Sequence, residues 1–135
     1  MDPLLQGYAE RAKDLERERE EYSRRIDREQ KGLMKSIPFA AAYAYLKGLS
    51  PNNLSMHEQH LHEDDAGDKY FSTFMEPFTF SIWKRNTEDF SKPEYTLEVR
   101  IAKDQHTDNL VHLLGEGEQV GNLYQSLSEM VMSKV

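Results

Sequence analysis

The stretch Met-His-Glu-Gln-His-Leu-His-Glu-Asp-Asp, residues 56–65, puts three imidazoles and four carboxylates into ten positions. Those side chains are the ligands of catalytic zinc and manganese, so His57, His60, His62 and Asp64 are the candidate set for a metal-dependent hydrolase. Along an extended strand, His60 and His62 share one face with Met56 and Glu58, while His57 points to the other. The three rings converge only if the strand is broken or bulged. A catalytic zinc is usually held by three protein ligands fixed by second partners, and this stretch offers neighbours with no distant ligand. The pattern therefore predicts no metal and no cofactor. It predicts a polar edge strand and an acidic turn, with Glu58, Glu63, Asp64, Asp65 and Asp68 forming a partner-binding surface.

His-Leu-His-Glu-Asp-Asp, residues 60–65, resembles part of the His-x-His-x-Asp-His motif of the metallo-β-lactamase superfamily. The likeness spans six residues, Asp65 stands where the motif has its last histidine, and His106 and His112 stand alone downstream. Glu98-Val99-Arg100 resembles the Glu-x-Lys half of a restriction-like nuclease core, but arginine cannot exchange a proton as lysine can. The chain has no cysteine, which removes thiolate zinc sites, disulfides and cysteine catalysis. Gly-Glu-Gly-Glu-Gln-Val-Gly, 115–121, sets acids where a phosphate loop needs bare amides. The balance favours a binding protein over an enzyme.

Charge divides the chain. Residues 1–35 hold nine Lys/Arg and nine Asp/Glu, and the remainder carries the whole net charge of −7. The division predicts an N-terminal helical arm, 1–35, and a compact body, 36–135. An acidic body argues against direct nucleic-acid binding, because phosphate neutralisation needs Lys and Arg. Nothing near Met1 reads as a signal peptide and no stretch reaches the ~20 apolar residues of a membrane span; the expectation is a cytoplasmic protein.

The arm reads as one long helix, with Asp2 as cap and Pro3 in the first turn. Leu5, Tyr8, Ala12, Leu15, Tyr22, Ile26 and Leu33 fall three and four apart when Arg19 and Glu29 are counted in, which is a heptad seam. Leu5, Tyr8, Leu15, Tyr22, Ile26 and Leu33 are thus the expected self-association residues of a homodimer. Arg17, Arg24, Arg28, Lys31 and Lys35 share the opposite, solvated face. A short helix follows, with Ser36 as its cap and Gly48 as a left-handed stop.

From residue 54 the apolar period becomes two. Residues 54–62, 69–75, 78–85 and 94–103 read as antiparallel strands with Phe80, Ile82, Leu97 and Val99 in the core. Asn-Leu-Val-His-Leu-Leu, 109–114, reads as a short helical turn. Val120, Leu123, Tyr124, Leu127, Met130 and Val131 make the apolar face of a C-terminal helix. The expected fold is α+β: a long and a short helix, a β-meander of three to four strands, and the C-terminal helix. The expected function is a small inhibitor, of the phage or mobile-element type, that sets an acidic face against a nucleic-acid-processing protein. The alternatives are a homodimeric adaptor or chaperone-like protein, and the metal-dependent hydrolase.

Overall fold

A computed structural model describes residues 2–59, 67–86, 92–101 and 110–133; within the first helix the side chains of 18–24 are not described. The chain is α+β, with the order α1 (Pro3–Ser36), α2 (Phe39–Lys47), a 3-10 turn (Pro51–Asn53), β1 (Ser55–Gln59), β2 (Asp68–Met75), β3 (Phe78–Arg85), β4 (Glu94–Ile101), β5 (Leu110–Glu116) and α3 (Glu118–Met132). The strands form one antiparallel sheet in the order β1-β2-β3-β4-β5. Period-two patterning buries one face of it: Phe71, Phe78, Phe80, Ile82, Leu97, Val99 and Ile101 are at most 2% exposed. Helix α3 covers β3 and β4 through Val120, Leu123, Tyr124 and Leu127, and α1 packs on β4 and β5.

The expected helical turn at 109–114 is instead the fifth strand. Val111 and Leu113 pair opposite Arg100 and Glu98, and the register shifts between Leu97 and Glu98. Burial alternates from Leu110 to Leu114 and breaks only where the half-buried Leu114 and Gly115 follow one another. Gly115 is needed there, because a Cβ would lie 2.5 Å from the Phe39 ring.

Asp2 caps α1 as its sequence requires, accepting the Leu4 N–H at 2.8 Å. Two other helix-end expectations fail. Ser36 donates back to the Gly32 carbonyl at 2.8 Å inside α1 instead of capping α2. Gly48 ends α2 in a right-handed conformation, φ −88°, with its N–H shared by the Ala44 and Tyr45 carbonyls.

Helical turns run from Pro3 to Ser36, but α1 is not one straight rod. Arg11 reaches Glu29 at 3.5 Å, and Gln30 Nε2 donates to Glu16 at 2.7 Å and to the Ala12 carbonyl at 3.4 Å. Eighteen residues of straight helix span about 27 Å, far beyond any side-chain reach. The helix must therefore double back, with residues 11–16 lying beside 26–30. Leu5, Ala9, Ala12 and Met34 join the same buried cluster as the sheet and α3. Residues of the 1–35 arm thus contribute to the same buried cluster as the sheet and α3.

Candidate functional site

The meander brings distant acids together. The register pairs Gln59 with Asp68, Arg85 with Glu94 and Thr96 with Glu116, so the end of β1, the start of β2, the end of β3, the start of β4 and the end of β5 all lie at one end of the sheet. Glu58, Asp68, Glu94, Glu116 and Glu118 sit there or beside it. The connections 60–66 and 87–91, outside the described residues, leave and rejoin the sheet at this end; their sequences hold Glu63, Asp64, Asp65, Glu88 and Asp89 and no Lys or Arg.

At the β5 side of this end lies an open groove of about 1150 Å³ between the start of β4 and the first turns of α3. Lys92, Pro93, Glu94, Tyr95 and Thr96 line one wall, and Glu116, Glu118, Asn122 and Gln125 the other. Its shape rests on two glycines. Gly117 adopts φ +98°, a left-handed conformation that lets β5 turn directly into α3. Its N–H donates to the Tyr95 carbonyl at 3.1 Å, tying the two walls together. Gly121 lets the Tyr95 ring lie against the helix, since a Cβ there would be 2.9 Å from Tyr95 Cδ2. Tyr95 also packs on Tyr124, ring centroids 5.6 Å apart. Burial pushes the Tyr124 phenol above its ordinary value, and Tyr95 adds to the shift. The groove therefore joins an aromatic wall to a rim of three carboxylates and one ammonium, Lys92, and the net negative charge beside the ring suits cationic side chains.

The sheet face turned away from the helices carries a second arrangement. His57 stacks on Tyr70 at 4.6 Å, Tyr70 stacks on Trp83 at 4.0 Å, and the Arg85 guanidinium lies 4.4 Å from the Trp83 ring. Arg85 is fixed in turn by Glu98 at 2.9 Å and by the Thr96 hydroxyl. Each interior ring of this ladder is sandwiched by its neighbours, and Trp83 is only 6% exposed. Single-stranded nucleic acid binds such sheets by stacking bases on free ring faces, and the inner faces of this ladder are already occupied. Two rows further along, Phe74, Thr79, Arg100 and Val111 oppose one another across four strands. Phe74 and Val111 there, with Leu113 in the row between, are exposed apolar residues.

The candidate residues separate clearly. His57 lies on β1, the edge strand, and holds the Ser72 hydroxyl at 3.0 Å besides stacking on Tyr70, so it belongs to the ladder. His60, His62, Glu63, Asp64 and Asp65 lie outside the described residues. Among the described residues no three His, Asp or Glu side chains converge as metal ligands. Glu58 is exposed on the opposite face of β1 from His57, beside Lys69. Asp68 accepts the Asn86 N–H at 2.9 Å and so fastens β2 to the end of β3. Leu5, Leu15 and Ile26 of the expected seam are buried within the single chain, Tyr8 and Leu33 are half-buried against its core, and the Tyr22 side chain is outside the described set. In this fold the seam therefore faces inward. Glu94, Tyr95, Glu116, Glu118 and the ladder residues Tyr70, Trp83 and Arg85 were not anticipated as site residues. Only cross-strand register, read between segments, could have aligned them.

Comparison with family models, curated proteins and solved structures finds no match to this chain. Among the described residues no helix is long and apolar enough to cross a membrane.

Proposed function

We propose that this protein is a non-enzymatic binding module that sets the acidic end of its sheet against a basic surface of another protein. The observation that carries the reading is the gathering of Glu94, Glu116 and Glu118 around a groove walled by Tyr95. The partner chemistry this fits is a Lys/Arg-lined cleft of a nucleic-acid-processing protein in the cytoplasm. A carboxylate rim can occupy such a cleft in place of phosphate, and the concentrated charge speeds encounter. The protein then acts as a competitive inhibitor of nucleic-acid binding.

The test uses a lysine-rich peptide as probe. Glu94→Gln, Glu116→Gln and Glu118→Gln together should weaken binding at least tenfold at low salt. Glu10→Gln, Asp14→Asn and Glu129→Gln make the same change of net charge on the helices and should alter it less than twofold. Equal losses from both sets would show that only global charge matters and would remove the site.

A second reading, the adaptor, draws on the exposed Phe74, Val111 and Leu113 of the open face. Docking through them would lose little affinity between low and moderate salt, whereas docking at the acidic end would lose it steeply.

A further inference from the structure

We propose that the open face of the sheet docks an amphipathic helix of another protein, one whose apolar stripe carries a carboxylate, and that Arg100 reads that carboxylate. Docking on this face is the adaptor reading, on which this assignment of partner chemistry rests; the groove at the acidic end takes no part in it.

Three observations carry it. First, Arg100 is under-used. Its side chain keeps only 32% exposure, its Nε is buried without a hydrogen-bond partner, and its one ionic contact among the described residues is Glu98 Oε2 at 4.0 Å. A guanidinium holds five N–H donors in a fixed fork that matches a carboxylate, and a charged donor withdrawn from water without a partner is costly. Second, Glu98 is already taken. Its Oε1 accepts Arg85 Nη2 at 2.9 Å, so two guanidiniums share one carboxylate, and the middle of this face is locally positive in a chain of net charge −7. Glu76, exposed at the turn beyond Phe74, is engaged by Lys13 at 3.6 Å. Third, uncovered apolar side chains flank the cation. Phe74, 67% exposed, shares its row; Val111, 43% exposed, is its direct cross-strand neighbour, and Leu113, 44% exposed, follows two residues on.

These features select the occupant. The strands β2, β3 and β4 are paired on both sides within the sheet, so only side chains can meet this face, and a helix presents an apolar stripe to such a surface. Neighbouring strands lie about 4.8 Å apart, which sets Phe74 about 14 Å from Val111 with Arg100 between them. A helix with its side chains is about 10–12 Å across and fits that span. A carboxylate in the middle of the stripe then meets the guanidinium, with the Thr79 hydroxyl beside it in the row. Apolar side chains of the helix cover Phe74 on one side and Val111 and Leu113 on the other. A second copy of this chain fits poorly, since its own open face brings the same surplus guanidinium.

The probes are two synthetic helical peptides, alike except that the centre of a leucine stripe holds Glu in one and Gln in the other. Binding is followed by fluorescence anisotropy at moderate salt. The Glu peptide should bind about fivefold tighter, as a charge-assisted pair at a partly exposed site gives. The sign is decisive: a chain of net charge −7 repels the Glu peptide in general, so only a local cation produces that preference. The swap is made in the peptide, so the parent protein alone already decides the point. Arg100→Gln should abolish the preference, while Arg17→Gln, the same charge change at an exposed position of α1, should leave it intact. Phe74→Ser, at a position exposed enough to spare folding, should weaken both peptides. Equal binding of the two peptides to the parent, weakened by Phe74→Ser, would overturn the role of Arg100 and leave the adaptor reading standing. Binding of neither peptide, or binding that Phe74→Ser and Arg100→Gln both leave unchanged, would overturn the two together.

Discussion

Replacing Trp83 tests whether the open face is an ordered structure or a loose surface. Trp83 is 6% exposed although none of the described helices covers its side of the sheet, because Tyr70 lies 4.0 Å to one side and Arg85 4.4 Å to the other. Truncation to alanine removes nearly all of a buried indole, which in protein interiors costs about 3–5 kcal/mol. Stacking on Tyr70 and the cation–π contact with Arg85, each about 0.5–1.5 kcal/mol, are part of that loss. Arg85 retains Glu98 and Thr96, so no charge is stranded and the cost should not exceed this range. Phenylalanine at the same position keeps a ring between Tyr70 and Arg85. It also removes the indole N–H, which is buried and has no hydrogen-bond partner among the described residues; relief of such a group is worth about 1–3 kcal/mol. Trp83→Phe should therefore fall within about 1.5 kcal/mol of the parent. Urea unfolding followed by far-ultraviolet circular dichroism measures both, since Trp83 is the sole tryptophan and its fluorescence is lost. A Trp83→Ala cost below about 1 kcal/mol, or equal costs for the two variants, would refute the ladder as a packed unit.

Two glycines should respond in opposite directions. Gly121→Ala pushes a Cβ to 2.9 Å from the Tyr95 ring and should destabilise by about 1–3 kcal/mol, while Gly32→Ala meets nothing within 4 Å on α1 and should stabilise by about 0.5–1 kcal/mol; thermal melts decide both. Tyr124 should set an alkaline limit. Its folded pKa lies above the ordinary 10.0, so its contribution is complete below pH 10 and is lost as pH rises through the folded value; Tyr124→Phe should flatten the fall in stability above pH 10 in chemical denaturation.

The strand phases were legible because one covered face imposes strict alternation: Phe80, Ile82, Leu97 and Val99 are all fully buried. The fifth strand was hidden by its irregular register, which breaks that alternation between Leu113 and Gly115. The doubling back of α1 was illegible because residues 18–24 hold no Gly, Pro, Asn or Asp, and Ser23 is the one residue there that turns favour. The acids at 58–68 could be seen as a cluster in the sequence, but Glu94, Glu116 and Glu118 join them only through the meander. The ladder shows the same limit. His57, Tyr70, Trp83 and Arg85 come from three strands, and no one strand reveals which residue faces which.

The end of the sheet bearing the Tyr95 groove is the proposed docking surface. Titration of isotope-labelled protein with a lysine-rich peptide, followed residue by residue through amide chemical shifts, tests it most directly. The largest shifts should fall at residues 92–96 and 116–125 and vanish at high salt. Shifts centred on Phe74, Arg100, Val111 and Leu113, or spread evenly over the molecule, would contradict it.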